Sequence, residues 1–171
     1  MDTQVVLTLK SGNVNALVNK ALKKEVEIKR QPSGKPYIEG GEVCISLSHK
    51  DKYLCFALSS GEVGVDIEKM VDRPSIYLIA ERYFGEVIQE GDYKAFYAAW
   101  TKKEALSKLL GIGLNKELLA LDVSKDRVVL ENVGEVKFFY NVYGDYLITA
   151  ACLTDKVEFR KMGRINAEDL K

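Results

Sequence analysis

VGVDIEKM, at residues 63–70, is the stretch of sequence from which the fold and the site can be argued. Its apolar residues alternate with Gly64, Asp66 and Glu68. This alternation predicts a β-strand, because side chains two residues apart point to the same face. Asp66 and Glu68 therefore share a face, and like charges there repel each other. Either the face is simply solvated, or the two carboxylates hold a hard cation such as Mg²⁺, which takes oxygen ligands.

The composition describes a globular chain without excess charge. Of its 171 residues, 47% are hydrophobic, which is enough for an ordinary core of one domain or two small halves. Lysine plus arginine is 25 and aspartate plus glutamate is 25, so the formal net charge is zero. A neutral balance argues against a dedicated nucleic-acid binder, and we expect no nucleic-acid partner.

Cysteine usage and hydropathy predict where the protein works. Cys44, Cys55 and Cys152 show no paired spacing, which is typical of free thiols in a reducing compartment. The N-terminal residues lack the charged start and apolar run of a signal peptide. The sequence contains no apolar run long enough to span a bilayer. We therefore expect a soluble cytoplasmic protein without a membrane partner.

Periodicity predicts an α+β fold. In the first part, strand patterns occur at residues 3–10, 26–30, 43–48, 53–60 and 63–70, with a helix at 13–25. In the second part, helices are predicted at 73–84 and 91–111, and strands at 128–131, 135–140, 145–153 and 156–161. We divide the chain into two α+β halves, residues 1–71 and residues 72–171. The polar tail NAEDLK is expected to fray.

The long predicted helix supplies a third acidic candidate. Trp100, Glu104 and Lys108 are spaced four residues apart and so line one helical stripe. The simpler interpretation of Glu104 and Lys108 is an ordinary ion pair on a helix surface, worth a few tenths of a kcal/mol. Lys102 and Lys103 are interpreted as solvated on the same ground.

Two further segments could bind an anion. His49, the single histidine, follows Ser48 at the end of a predicted strand and is placed at a turn, where it is either structural or able to meet a phosphate. Gly34, Lys35 and Pro36 form either a plain surface turn or a stiff loop that presents a lysine to an anion.

The order of four motifs is more specific than any one of them. GKPY, SLSHK, GVDIE and WTKKEALSKLLGIGL follow one another between Gly34 and Leu114. This series resembles the surfactin-type 4′-phosphopantetheinyl transferases. The resemblance implies a pseudo-twofold pair of α+β units, each a helix packed on an antiparallel sheet, with the active site at their junction. It also implies that the chain works as a monomer.

The resemblance implies the chemistry as well. Such enzymes move the phosphopantetheine arm of coenzyme A onto a serine of an apo carrier protein and release adenosine 3′,5′-bisphosphate. Asp66, Glu68 and Glu104 would hold Mg²⁺. Glu104 would be the general base, or Glu68 would act through a metal-bound water. Lys108 would neutralise or protonate the leaving phosphate.

The contacts with coenzyme A are also carried over from the resemblance. His49 would contact its 3′-phosphate, and Ser48 would bond a phosphate or position the loop. Gly34, Lys35 and Pro36 would hold the adenosine-phosphate end. The chain departs from the family at Lys50, where a small hydroxyl residue is usual, in its short segment from residue 84 to 93, and in lacking an early basic motif. Five early basic residues could replace that motif, namely Lys20, Lys23, Lys24, Lys29 and Arg30.

Two other functions remain open on the sequence alone. A magnesium-dependent phosphodiesterase or nuclease would use the same three acids but would not need GKPY. A non-catalytic module that binds coenzyme A or a carrier would not need all three acids together with Lys108. The sequence leaves open whether the carrier serves fatty acid, polyketide or nonribosomal peptide synthesis, whether acyl-coenzyme A is accepted, and whether Mn²⁺ replaces Mg²⁺.

Overall fold

The computed structural model describes residues 1–10, 13–84, 88–163 and 165. The first part of the chain contains β1 (Thr3–Leu9), α1 (Val14–Leu22), β2 (Ile28–Arg30), β3 (Pro36–Ile38), β4 (Cys44–Lys50), β5 (Tyr53–Ser59) and β6 (Val63–Lys69). Then come α2 (Pro74–Ile79) with a π-helical turn (Ala80–Phe84), α3 (Tyr93–Leu110), α4 (Lys116–Ala120), β7 (Arg127–Leu130), β8 (Gly134–Tyr143), β9 (Tyr146–Cys152) and β10 (Val157–Met162). The predicted α+β class is confirmed.

The strands form two four-stranded sheets and one short hairpin. The first sheet has the order β10-β1-β5-β4 and the second the order β6-β9-β8-β7, while β2 pairs with β3. Within both sheets all pairs are antiparallel except β1 with β10. The order β1-β5-β4 has a counterpart in β6-β9-β8, since in each case a first strand lies beside the second strand of a later hairpin.

The two sheets do not divide the chain at residue 71. β6 comes before that residue and pairs with β9 of the second sheet, whereas β10 comes after it and pairs with β1 of the first. Each sheet is therefore built from both of the expected halves. The boundary between 1–71 and 72–171 as independent units stays a prediction.

The core lies in layers. The inner faces of both sheets share one apolar cluster, to which β1, β5, β6 and β9 contribute alternate residues. α1 covers the outer face of the first sheet and α3 that of the second. β5 and β9 are therefore buried along their whole length, because both faces of a central strand between two layers are covered.

The two sheets are also tied together by a polar contact. The Tyr146 hydroxyl at the start of β9 donates a hydrogen bond to the Asp51 carboxylate, 2.7 Å away, in the turn between β4 and β5. Burial and the negative charge of Asp51 raise the pKa of that phenol above its usual range. The contact fixes the turn between β4 and β5 against the second sheet.

Local chemistry explains the start of α1 and the end of α3. Asn13 begins α1 by accepting a hydrogen bond from the Asn15 amide. Gly111 ends α3 with a φ of 70°, a conformation that glycine adopts without strain. The prediction that His49 lies at a turn was wrong, since β4 continues through Lys50. The short elements β3 and α4 were not predicted. The tail NAEDLK lies outside the described residues.

Candidate active site

The site begins with an unusually close contact between β6 and α3. A Cβ atom placed on Gly64 would lie 1.8 Å from the Ala105 carbonyl oxygen and 2.6 Å from the Leu109 amide nitrogen. Only glycine allows this approach of the strand to the backbone of the helix. Because side chains alternate along a strand, Asp66 and Glu68 lie on the same face as Gly64 and point toward α3.

Serine side chains join the two sheets at this point. β4 and β6 are the edge strands that meet there, and they are not paired through their backbones in either sheet. Ser46 Oγ accepts a hydrogen bond from the Val65 amide at 3.0 Å, and Ser48 Oγ accepts one from the Ile67 amide at 3.4 Å. A cleft of about 490 Å³ opens beside this seam.

All of the predicted site residues line this single cleft. They are Gly34, Lys35, Pro36, Ser48, His49, Asp66, Glu68, Glu104 and Lys108. The cleft also contains Arg30, Ser33 and Ser107, which the sequence did not single out as site residues. Arg30 was counted among the early basic residues, but no motif marked it. The roles of these residues stay predictions. Their position together in one cleft is observed in the structure.

Asp66 is the most enclosed acid in the cleft, with 5% of its surface exposed. Its Oδ1 atom accepts hydrogen bonds from Lys108 Nζ at 2.7 Å and from Ser48 Oγ at 2.9 Å. Its Oδ2 atom is buried and has no hydrogen-bond partner among the described residues. An unpartnered buried carboxylate oxygen costs free energy, which a ligand of positive charge would recover.

Glu68 is paired with Lys50, at which the sequence departs from the pattern of the family that it resembles. Lys50 Nζ lies 2.6 Å from Glu68 Oε2. Oε2 is nevertheless buried without an aligned hydrogen bond, so the contact is an ion pair of poor geometry. The Lys50 side chain is 32% exposed, which leaves it room to move toward an anion in the cleft.

Glu104 completes the acidic group. Burial raises the pKa of its carboxyl above the ordinary value, the negative charge of Asp66 raises it further, Lys108 opposes both, and Glu68 adds a smaller increase. The carboxyl therefore takes up a proton more readily than an exposed glutamate does. This coupling indicates that the three acids share one electrostatic environment.

The predicted Mg²⁺ site stays a prediction. Within the described part of the chain, no group of three or more His, Cys, Asp or Glu side chains is arranged as a metal site. The residues present nevertheless fit the ion chemically. Asp66 Oδ2 is a buried oxygen without a partner, and Glu104 carries the effect of two neighbouring negative charges. All candidate ligands are carboxylate oxygens, which Mg²⁺ prefers.

The loop at Gly34–Pro36 reaches the end of α3. Lys35 Nζ donates to the Leu109 carbonyl and pairs with the Glu62 carboxylate. The Lys35 stem also packs over Gly111, where a Cβ would lie 3.0 Å from Lys35 Cδ. A lysine at the C-terminal end of a helix satisfies carbonyl groups that have no partner within the helix. Lys35 thus fastens this loop to α3 besides lining the cleft.

The interpretation of Lys102 and Lys103 as solvated was wrong. Both are buried, with 7% and 1% of their surfaces exposed. Lys102 Nζ donates to the Val123 carbonyl at 3.0 Å and to the Asp126 carboxylate at 2.8 Å. Lys103 Nζ donates to carbonyl oxygens at the end of α4. Neither lysine lines the cleft described above.

Comparison with known proteins identifies the family. A family model described as the 4′-phosphopantetheinyl transferase superfamily matches residues 62–151, just over half of the chain. The chain belongs to this superfamily. The matched residues include Asp66, Glu68, Glu104 and Lys108, so the acidic part of the cleft lies inside the family region.

Individual relatives carry the same name. The chain is 34% identical over 104 residues to a 4′-phosphopantetheinyl transferase of Bacillus subtilis, a match covering 54% of this chain and 45% of the relative. It is 30% identical over 112 residues to the 4′-phosphopantetheinyl transferase Sfp of the same species, covering 59% and 48%. A third match, to the transferase gsp of Aneurinibacillus migulanus, is 30% identical over 89 residues and covers 47% and 36%.

The chain spans about half the length, or less, of the relatives it matches. All three relatives are named as transferases, and these names do not support a phosphodiesterase or a binding module. Among the helices that the structure describes, none has the length and apolar character needed to cross a lipid bilayer.

Proposed function

We propose that this protein transfers the 4′-phosphopantetheine group of coenzyme A to a serine of an apo carrier protein, forming the holo-carrier and adenosine 3′,5′-bisphosphate. The observation that supports this best is the convergence of four separate motifs on one cleft. The loop at Gly34–Pro36, the end of β4, the acidic face of β6 and the stripe of α3 all line it. A nuclease would not need the first two segments.

Coenzyme A is the donor in this proposal. The positive charges of Arg30 and Lys35, with the imidazole of His49 as a further polar group, suit the phosphates of the nucleotide end. His49 is exposed on the cleft wall, where it can meet the 3′-phosphate. Gly34 and Pro36 shape the loop against which the adenosine end would lie.

Asp66, Glu68 and Glu104 would hold Mg²⁺ when the enzyme is loaded. The ion would supply positive charge to the pyrophosphate as its bond breaks. Lys108 lies at the same acids, 2.7 Å from Asp66 Oδ1, and would neutralise the leaving phosphate. Charge neutralisation of this kind carries most of the catalysis in phosphoryl transfer.

The carrier serine needs a base, and Glu104 is the first candidate. Its carboxylate lines the same cleft as Lys108 and the acids of β6, and a carboxylate within hydrogen-bond reach of the hydroxyl can act as a general base. The serine hydroxyl would give its proton to a Glu104 carboxylate oxygen as its own oxygen attacks phosphorus. Glu68, acting through a water molecule, is the alternative base.

We also propose that the protein is a monomer with pseudo-twofold symmetry. The cleft takes residues from both sheets of one chain, so a second copy is not needed to complete it. The repeated strand order supports the internal pairing. Sedimentation should give the mass of a single chain, and a stable trimer would contradict this part of the proposal.

Cys44, Cys55 and Cys152 are free thiols, which supports a cytoplasmic location.

The activity is tested by incubating the protein with coenzyme A, Mg²⁺ and several apo carrier proteins, and weighing the carriers by mass spectrometry. A carrier should gain one phosphopantetheine, and the gain should vanish with EDTA or in Asp66→Ala. Asp155→Asn, which removes a carboxylate that is 86% exposed, is the matched control and should remain active. Binding of coenzyme A without any mass gain would favour a binding module, and cleavage of nucleic acid would favour a phosphodiesterase.

A further inference from the structure

Ser48 is one corner of a closed triangle of hydrogen bonds inside the cleft. Its Oγ atom lies 2.9 Å from Asp66 Oδ1 and 2.8 Å from Lys108 Nζ, and the third side, from Lys108 Nζ to Asp66 Oδ1, is 2.7 Å. Ser48 itself is buried, with 7% of its surface exposed. The Ile67 amide nitrogen is a fourth neighbour, 3.4 Å from the same Oγ.

The chemistry of these neighbours decides where the serine proton points. An ammonium group and a backbone N–H can only donate, so Lys108 and Ile67 both donate to Ser48 Oγ. An ionised carboxylate can only accept, so the single hydroxyl proton of Ser48 is directed at Asp66. Two donors and one acceptor use the full hydrogen-bonding capacity of a serine hydroxyl. The hydroxyl proton of Ser48 is therefore given to Asp66 in this structure.

The same bonds orient Asp66. Two donors, Ser48 and Lys108, meet on Oδ1 and fix the direction of the carboxylate, while Oδ2 is left buried without a hydrogen-bond partner among the described residues. Lys108 uses two of its three N–H groups in the triangle, and its side chain is 29% exposed. One N–H group of Lys108 thus remains for a group in the cleft.

We propose that Ser48 is a positioning residue that aims Asp66 Oδ2 at a divalent cation and holds Lys108 for the leaving phosphate. This inference rests on the proposed function. It assigns different roles to two neighbours in the sequence, since His49 on the opposite face of β4 remains the phosphate contact.

The two roles are separated by measuring two properties of Ser48→Ala. The first is Mn²⁺ affinity, followed by electron paramagnetic resonance in the absence of coenzyme A. The second is the preference for coenzyme A over 3′-dephospho-coenzyme A in binding. We expect Mn²⁺ affinity to fall roughly tenfold, as for loss of a hydrogen bond to a charged group, with the preference unchanged. His49→Ala should give the reverse pattern.

An unchanged Mn²⁺ affinity in Ser48→Ala together with a reduced preference for coenzyme A would make Ser48 a phosphate ligand and overturn the inference. If Ser48→Ala does not fold, Ser48→Cys takes its place, because a thiol has a similar shape but donates weakly. A wild-type protein that binds no Mn²⁺ and transfers no phosphopantetheine would refute the proposed function, and the inference with it. A wild type that is active, beside a Ser48→Ala variant with wild-type Mn²⁺ affinity and preference, refutes only the role of Ser48.

Discussion

Gly64 of β6 lies so close to Ala105 of α3 that a Cβ atom on the glycine would be 1.8 Å from the alanine carbonyl oxygen. This contact sets the distance between the strand that carries Asp66 and the helix that carries Glu104. Gly64→Ala must push the helix away from the strand. We expect the free energy of unfolding to fall by about 2 kcal/mol or more, as for an overpacked core.

Chemical denaturation of the two proteins measures this loss. Gly61→Ala is the control, because no atom lies within 4 Å of the position that its Cβ would take, and it should leave stability nearly unchanged. If Gly64→Ala were as stable as Gly61→Ala, the strand and helix would not be in contact as described.

The raised pKa of Glu104 predicts a pH-dependent cost to stability. The folded state favours the protonated carboxyl, so no penalty exists below the ordinary glutamate pKa of about 4.5, and stability is lost as the pH rises through the raised value. Glu104→Gln cannot ionise and is spared this loss. We therefore expect the variant to become more stable than wild type as the pH rises above 4.5.

The comparison is made by urea unfolding at a series of pH values in the presence of EDTA. Glu42→Gln changes an exposed acid and should show no such trend. If the stability difference between Glu104→Gln and wild type did not vary with pH, the pKa of Glu104 would not be raised in the folded protein.

The ion pair between Lys50 and Glu68 should oppose the binding of a divalent cation. Lys50→Ser removes the competing charge and restores the small hydroxyl residue that is usual in the family. Because a partly exposed ion pair is worth at most about 1 kcal/mol, we expect Mn²⁺ to bind up to roughly fivefold more tightly. Lys52→Ser, in the same hairpin, is the matched control. Weaker binding in Lys50→Ser than in Lys52→Ser would show that Lys50 assists the cation rather than competing with it.

The buried Lys103 should matter for stability. Its ammonium group donates to the Leu118 and Leu121 carbonyl oxygens and lies 4.8 Å from the centre of the Phe84 ring. Lys103→Met keeps the apolar stem but leaves these carbonyls without their donor, at a cost of about 1–3 kcal/mol. Thermal unfolding measures the change, with Lys116→Met, an exposed position of α4, for comparison. Equal melting temperatures of the two variants would contradict the structural role of Lys103.

The long helices and strands, and the residues that line the cleft, were predicted from the sequence. The short elements and the pairing of the strands were not. α3 has a clear helical period, and β6 a clear alternation, so both were found. α4 has five residues, which is too short for a period to be recognised. The motifs placed the acids of β6 and α3 in one site, because spacing along the sequence does not give the distance between two elements.

Two features depend on tertiary structure. One is the burial of Lys102 and Lys103, and the other is the pairing of β6 with the second sheet and of β10 with the first. A lysine on a helix usually reaches solvent, and nothing in the letters of KKE shows that carbonyl groups from later in the chain will surround Lys102 and Lys103. The long aliphatic stem of lysine makes such burial possible. Likewise, strand patterns alone did not show that β6 would join the second sheet and β10 the first.

The parallel pairing of β10 with β1 has a consequence for how the protein is made. Thr3 is aligned with Val157, so β1 acquires this neighbour only after the residues between them have been synthesised. Until then one edge of β1 is open to pairing with other chains. Contacts so distant in sequence slow folding. We therefore expect nascent chains that stop before residue 157 to be prone to aggregation and to depend on chaperones.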